Sequence, residues 1–307
     1  MAQQETRLQE NAQEANNKQH TKRMSTPKHH QSAPIYRVIA LDLDGTLTNN
    51  AKEVTPKTRE ALLRAQDDGC IVVLASGRPT FGIEPVAECL ELDKRGGFIL
   101  SYNGGKIINW KSKEELYGKH LPKEVIPIIY EYAKKHRFAL LGYAGREIVT
   151  EMPGDEYVKE ESRINKMQIR KVDNLLNSIE DRPTKLLMTG KPADMMKAEE
   201  ELGALLGNRM AVFRSAPFFL ELVPNGIDKA QSLLRLLGAL NFTPNDLIAF
   251  GDGYNDLSML HLAGMGVAMA NAAPEVRAEA DYVTLSNEED GVAAAIEALC
   301  YAHGEDE

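Results

Sequence analysis

The feature that most constrains the fold is a strand–helix–strand order near the beginning of the chain. Residues 37–43 (RVIALDL) form a short apolar run ending in acids, and residues 70–75 (CIVVLA) form a second. Both read as strands buried on two faces. Between them, Thr55-Pro56 opens a stretch with Ala61, Leu62 and Ala65 at helical spacing. A threonine cap before a first-turn proline is a sound helix start. Strand, helix and strand imply parallel neighbours joined by a right-handed crossover. The pattern returns later in the chain: a helix over 229–240, a strand over 246–251 and a helix over 256–263. Short strands at 267–269 and 282–285 flank a helix over 274–279, and a last helix covers 290–299.

The middle of the chain has a different rhythm. A helix over 123–136 precedes strands at 138–143 and 146–150, then a helical stretch without clear bounds. A strand at 185–189, a helix over 193–206 and strands at 210–214 and 218–222 follow. Paired strands alternating with helices suggest an antiparallel sheet with helices on one face. The expected fold class is therefore α/β: a doubly wound, Rossmann-like core with a mostly parallel sheet, plus an inserted α+β domain. The core would be discontinuous, residues 36–120 and 225–301, with the insert at 121–224. Residues 1–35, rich in Gln, Asn, Lys and His, are expected to be a disordered polar tail to which no role is assigned.

Composition narrows the partners. The net charge of -9 gives no general attraction to phosphate backbones or anionic lipid, which argues against nucleic acid and membrane partners. No run approaches the roughly 18 apolar residues needed to cross a bilayer. A small anionic substrate stays possible, because a bound cation can reverse the local field. Three cysteines, an odd number without close pairing, suit a reducing, cytoplasmic setting.

Four clusters carry the chemistry, each at an expected strand end or helix start, and parallel sheets gather ligands at the carboxyl ends of their strands. In Asp42-Leu43-Asp44-Gly45-Thr46, two carboxylates lie two residues apart. Opposed acids of this kind imply a cation or a shared proton, although acids merely ending a strand fit too. A carboxylate can attack phosphorus while a neighbour moves the proton. Ala75-Ser76-Gly77-Arg78 could hold a phosphate through a hydroxyl and free N–H groups, or be an ordinary turn. Arg78 could be a ligand or a salt-bridge residue. Lys229 follows Asp228, a candidate helix cap; a lysine there is commonly solvated, but a phosphate needs a compact positive charge. In Gly251-Asp252-Gly253-Tyr254-Asn255-Asp256, Asp252 could ligate a hard cation and Asn255 could donate to phosphate. Asp256 is placed to act through water or behind the ligands, and Asn and Asp also favour a plain helix start.

The stretches DLDGTL (42–47), ASGR (75–78), SYNGG (101–105), PNGIDKAQSL (224–233) and GDGYNDLSML (251–260) resemble the haloacid dehalogenase superfamily. Within it they are most similar to Cof-type phosphatases carrying an α/β cap of the C2B type, over residues 36–301. The resemblance implies a Mg²⁺-dependent phosphatase acting on small phosphorylated metabolites such as sugar phosphates through an aspartyl phosphate. Asp42 would be nucleophile and metal ligand, and Asp44 the general acid/base, meeting the metal through its main-chain carbonyl. Leu43 would offer its N–H, Ser76 and Gly77 would hold the phosphate, and Lys229 would supply counter-charge. Asp252 would complete the metal cage and Asn255 would reach the phosphate, with Asn103, Asp256 and Arg78 in supporting places.

Rival readings are weaker. Cys89 and Arg95 have the spacing of a cysteine phosphatase loop, but Leu-Glu-Leu-Asp-Lys between them has no glycine and two acids. Histidines outside the tail are scattered. A phosphosugar mutase or phosphotransferase on the same scaffold would share the aspartyl phosphate and differ in acceptor. A non-catalytic metabolite sensor could dispense with Asp42. The chain is expected to be a monomer or small homo-oligomer, and its substrate is not legible.

Overall fold

A computed structural model of the chain describes residues 35–301, so all of the expected tail but Ile35 lies outside the described residues. In chain order the elements are β1 (Val38–Leu41), α1 (Pro56–Asp67), β2 (Ile71–Ala75), α2 (Thr80–Cys89), α3 (Leu92–Arg95), β3 (Phe98–Ser101), β4 (Lys106–Asn109) and β5 (Glu114–Gly118). Next come α4 (Ile126–His136), β6 (Ala139–Ala144), β7 (Glu147–Thr150), α5 (Glu156–Asn165), β8 (Gln168–Lys171), β9 (Leu186–Thr189), α6 (Pro192–Leu206), β10 (Ala211–Ala216) and β11 (Phe219–Val223). The last are α7 (Lys229–Ala239), β12 (Leu247–Gly251), α8 (Leu257–Leu262), β13 (Met265–Ala268), α9 (Pro274–Ala278), β14 (Tyr282–Val283) and α10 (Gly291–Leu299). They form two compact units: residues 35–77, 85–117 and 228–301 in one, Arg78–Glu84 and Gly118–Ile227 in the other.

The first unit is built on an eight-stranded sheet in the order β14-β13-β12-β1-β2-β3-β4-β5. From β14 to β3 the strands are parallel, and β4 runs antiparallel to β3. β1 is central because Val38, Ile39, Ala40 and Leu41 can all be buried, which a strand covered on both faces requires. On one face Val38, Ala40, Val73 and Ala249 pack with Leu233, Leu236 and Leu237 of α7 and Met259 and Leu260 of α8. α1 packs against β2 and α10. Its start matches expectation: Thr55 accepts from the Thr58 N–H at 3.3 Å, Pro56 takes the first turn, and Ala61, Leu62 and Ala65 are buried. The β4–β5 stretch was not foreseen. β1 also stops at Leu41, two residues before the apolar run ends, which places Asp42 and Leu43 in the loop.

The second unit has a six-stranded sheet in the order β10-β11-β9-β6-β7-β8, antiparallel except for β7 and β8. One face packs Leu140, Val149, Leu186, Met188, Leu220 and Leu222 against α4 and α6. The opposite face holds Leu141, Thr150, Leu187 and Glu221, which stand directly opposite one another across the ladders. α5 lies along that face, because Thr189 donates to its cap Asp155 at 3.0 Å and Tyr143 donates to Glu161 at 2.7 Å. Helices therefore cover both faces here, not one: β7, α5 and β8 form a parallel crossover within the stretch that had no clear bounds. Among the described residues no helix is long and apolar enough to cross a membrane.

Candidate active site

The loop after β1 folds back on its own strand end. The Asp42 N–H continues the ladder to Phe250 O at 3.0 Å, and Leu47 N then donates to Asp42 O at 3.2 Å. Thr48 ties to Leu43 O twice, through its N–H at 2.9 Å and its hydroxyl at 2.8 Å. Gly45 makes the reversal possible: its φ is +87°, and a Cβ there would lie 2.3 Å from Asp252 Oδ2. This close approach brings the loops after β1 and β12 together. Thr46 donates its hydroxyl to Asp252 Oδ1 at 2.7 Å.

Lys229 stands at the centre. Asp228 caps α7 by accepting from Gln231 N at 2.9 Å, so Lys229 occupies the first helical position. Its side chain is fully buried, which excludes the solvated alternative. Nζ lies 2.6 Å from Asp42 Oδ1 and 2.6 Å from Asp256 Oδ1. Asp256 spends its other oxygen on the N–H groups of Asp252 (3.1 Å) and Gly253 (2.9 Å). It thus fixes both the lysine and the Asp252 turn, closer to the centre than a role through water would be.

Oxygens of Asp42, Asp252 and Asp256 all lie within 4.8 Å of one another. Three acids face one ammonium, so two negative charges lack compensation when all are ionised. Burial, and then repulsion from Asp256, push the Asp42 carboxyl up to about 8 against the pull of Lys229. Burial also raises Asp252 to about 6, opposed by the Thr46 hydrogen bond and assisted by Asp256. Burial alone would depress Lys229, but Asp256 and Asp42 outweigh it and hold its pKa above the usual lysine range. The donor set fits a small hard cation: Asp256 is committed on both oxygens, while Asp42 and Asp252 each keep one oxygen outside these bonds.

The remaining expected residues divide. Asn103, held left-handed at φ 55°, donates its N–H to Ser76 O at 2.9 Å and accepts from Asn255 Nδ2 at 3.2 Å. Its side-chain amide lies 3.1 Å from where a Gly77 Cβ would stand. Ser76, Gly77, Asn103 and Asn255 therefore form one group. The Ser76 N–H is spent on Leu100 O at 2.9 Å. Leu43 is fully buried. Asp44 points its carboxylate at Lys52, with Nζ 2.7 Å away. Arg78 belongs to the second unit, where it is buried and donates to Gly82 O at 3.0 Å. The sequence reading missed Thr46 as the partner of Asp252, and Asn271, which donates to Gly45 O at 2.8 Å. Thr46 lies within the first motif and could have been found; Asn271 carries no local signal.

The model of the haloacid dehalogenase-like hydrolases matches residues 39–296. This chain belongs to that family. A haloacid dehalogenase-like hydrolase from Bacteroides thetaiotaomicron is 53% identical to it, with a TM-score of 0.85 over 86% of this chain and 99% of that one. The 5-amino-6-(5-phospho-D-ribitylamino)uracil phosphatase YcsE of Bacillus subtilis is 30% identical over 85% of this chain and 94% of its own length. The subclass IIB sugar phosphatase BT4131 shares the fold, with a TM-score of 0.71 at 24% identity over 85% of this chain and 98% of its own.

Proposed function

We propose that the chain is a Mg²⁺-dependent phosphatase of small phosphomonoesters, sugar phosphates or similar metabolites, with Asp42 as nucleophile. The observation that carries this reading is Lys229 buried between Asp42 and Asp256 at 2.6 Å from each, beside Asp252. A buried ammonium against an acid at a strand end is what an attack on an anionic phosphoryl group needs: it offsets the repulsion between two negative partners. A carboxylate oxygen of Asp42 forms the new bond to phosphorus as the ester oxygen leaves, and Asp44 gives that oxygen a proton. Water then attacks the phosphorus of the aspartyl phosphate and yields its proton to Asp44, so phosphate departs and Asp42 is restored. Asp44 is paired with Lys52, so each transfer requires this part-exposed pair to open.

Asp42, Asp252 and the Asp44 main-chain carbonyl would hold Mg²⁺, whose contribution is to neutralise charge on the phosphoryl oxygens. Ser76, Gly77 and Asn255 would hold the phosphate, Leu43 would contribute its N–H, and Asn103 would set the Asn255 amide. The second unit would act as the cap that selects the leaving group, in keeping with relatives whose names specify phosphorylated small molecules. Free phosphate released from sugar phosphates with Mg²⁺, abolished by Asp42→Asn with the fold retained, is the expected result. Isomerised ester without free phosphate would instead indicate a mutase, and full turnover by the Asp42→Asn variant would refute the nucleophile.

A further inference from the structure

The turn that carries Asp44, in the first unit, is held from outside by residues the chemistry above does not use. Its pivot, Gly45, has φ +87°, and glycine takes up either sign of φ with little preference. A turn that pivots there does not fix itself. Within it, Thr46 N donates to Leu43 O at 3.4 Å, Leu47 N to Asp42 O at 3.2 Å and Thr48 N to Leu43 O at 2.9 Å. The first of these is long for an N–H···O bond, so the turn is least secured next to its own pivot.

Two asparagines secure it. Asn271 donates Nδ2 to Gly45 O at 2.8 Å, and its Oδ1 accepts from Asn287 N at 3.1 Å. A backbone N–H only donates and a carbonyl only accepts, so both ends of this amide are assigned by their partners. Asn287, 8% exposed, donates its own Nδ2 to Thr48 O at 2.9 Å. The carbonyls at both ends of the turn are therefore gripped by one relay, 226 and 239 residues further along the chain. A third bond, from Asn50 N to Glu288 Oε1 at 2.6 Å, extends the grip. The relay is itself tied to the sheet: Met269 N donates to Gly251 O at 3.1 Å, Ala270 N to Leu285 O at 3.3 Å and Thr284 N to Ala268 O at 3.0 Å. Its donors thus stand on the ends of β12 and β13.

We infer that Asn271 and Asn287 are positioning residues for the proposed reaction: they fix the Gly45–Thr48 turn, and with it the peptide of Asp44, the residue placed to move the proton. Asp44 directly precedes Gly45, so a rotation of the peptide between them re-aims the Asp44 carbonyl and shifts the backbone that carries its carboxylate. Asn271, on the Gly45 carbonyl, opposes that rotation. Thr46 pins the same turn to Asp252 from another side through its 2.7 Å bond. Both asparagines are neutral and act through the turn. The inference rests on the phosphatase reading and deepens it by naming what holds the Asp44 loop still.

The test uses the full-length chain and the variants Asn271→Ala, Asn271→Asp and Asn287→Ala. Net loss of one hydrogen bond corresponds to about two- to tenfold in an equilibrium constant. In the metal-free chain, hydrogen exchange read by mass spectrometry should therefore quicken about two- to tenfold over residues 43–48, with β1 unchanged. With Mg²⁺ and the best substrate of a sugar phosphate panel, kcat should fall about tenfold or more while KM stays within about twofold, because a misplaced reacting group slows the chemical step. Asn271→Asp keeps the acceptor for Asn287 N and loses only the donor to Gly45 O, so it should share the loss. Unchanged exchange over 43–48, or unchanged kcat in any folded variant, would overturn the inference. Exchange that quickens throughout the first unit, with a lower Tm and a fall in kcat that tracks it, would assign the asparagines a general structural role and overturn it too. If Asn287→Ala does not fold, the variants at the exposed Asn271 carry the comparison. Should the wild type release no phosphate from the panel, the phosphatase reading fails separately, and the exchange measurement still decides whether the relay holds the turn.

Discussion

Replacing Lys229 by Met isolates the central electrostatic argument. The substitution keeps an unbranched, buried chain of similar length and removes the ammonium 2.6 Å from both Asp42 and Asp256. Removing one member of a buried pair leaves an uncompensated charge and costs about 3–5 kcal/mol. The stranded acids can escape by binding protons, and that escape is cheapest in acid. Holding a carboxyl protonated in the fold costs about 1.4 kcal/mol per pH unit above its ordinary value. At pH 5 Asp42 already holds its proton in the folded wild type, so a single acid is stranded and the loss should shrink to about 2 kcal/mol, whereas toward pH 8, where Asp42 ionises, it should reach the full range. Urea unfolding of wild type and Lys229→Met in EDTA at pH 5 and pH 8 measures both, and phosphate release should be lost at either pH. Equal stability of the two proteins at pH 8, or a loss that does not depend on pH, would refute the placement of Lys229 between two acids.

Other outcomes follow from the same geometry. With its folded pKa raised from 3.8 to about 8, Asp42 binds more protons folded than unfolded. Metal-free stability should thus fall as pH rises from about 4 to about 8, and Mg²⁺ should restore it most at the alkaline end. A Tm that rises over this range in EDTA, checked by scanning calorimetry, would contradict the assignment. Gly45→Ala forces a left-handed backbone and a methyl group onto Asp252; at least about 1–3 kcal/mol of stability should be lost, with Mg²⁺-dependent turnover, while wild-type behaviour would show that the loop is not tight.

Much of this was legible because burial on two faces leaves a plain trace. The runs VIAL and IVVLA and the Thr55-Pro56 start have few alternatives, and α1, β1 and β2 fall where they were expected. β8 left no such trace: Gln168–Lys171 is an edge strand with mostly exposed side chains, so neither alternation nor apolarity marks it. β4 and β5 were missed because Ile107 and Ile108 are adjacent and the Lys-rich turn after them reads as loop. In the site, the residue types were readable and their partners were not. A lysine in a first helical turn reads as solvated, and only the fold shows it buried. Asp256 looked like a helix-start acid, yet it holds both Lys229 and the Asp252 turn. Which way Asp44 points depends on Lys52, eight residues on, across a turn that local spacing does not specify. The Tyr143–Glu161 contact was invisible for the same reason, since it joins β6 to α5 across 18 residues.

The most direct measurement is to quench the enzyme in acid during turnover of a sugar phosphate and sequence its peptides by mass spectrometry. The account predicts a phosphoryl group on the Asp42 carboxylate, absent from the Asp42→Asn variant. Steady turnover with no such adduct trapped, or a phosphoryl group on any other side chain, would contradict it.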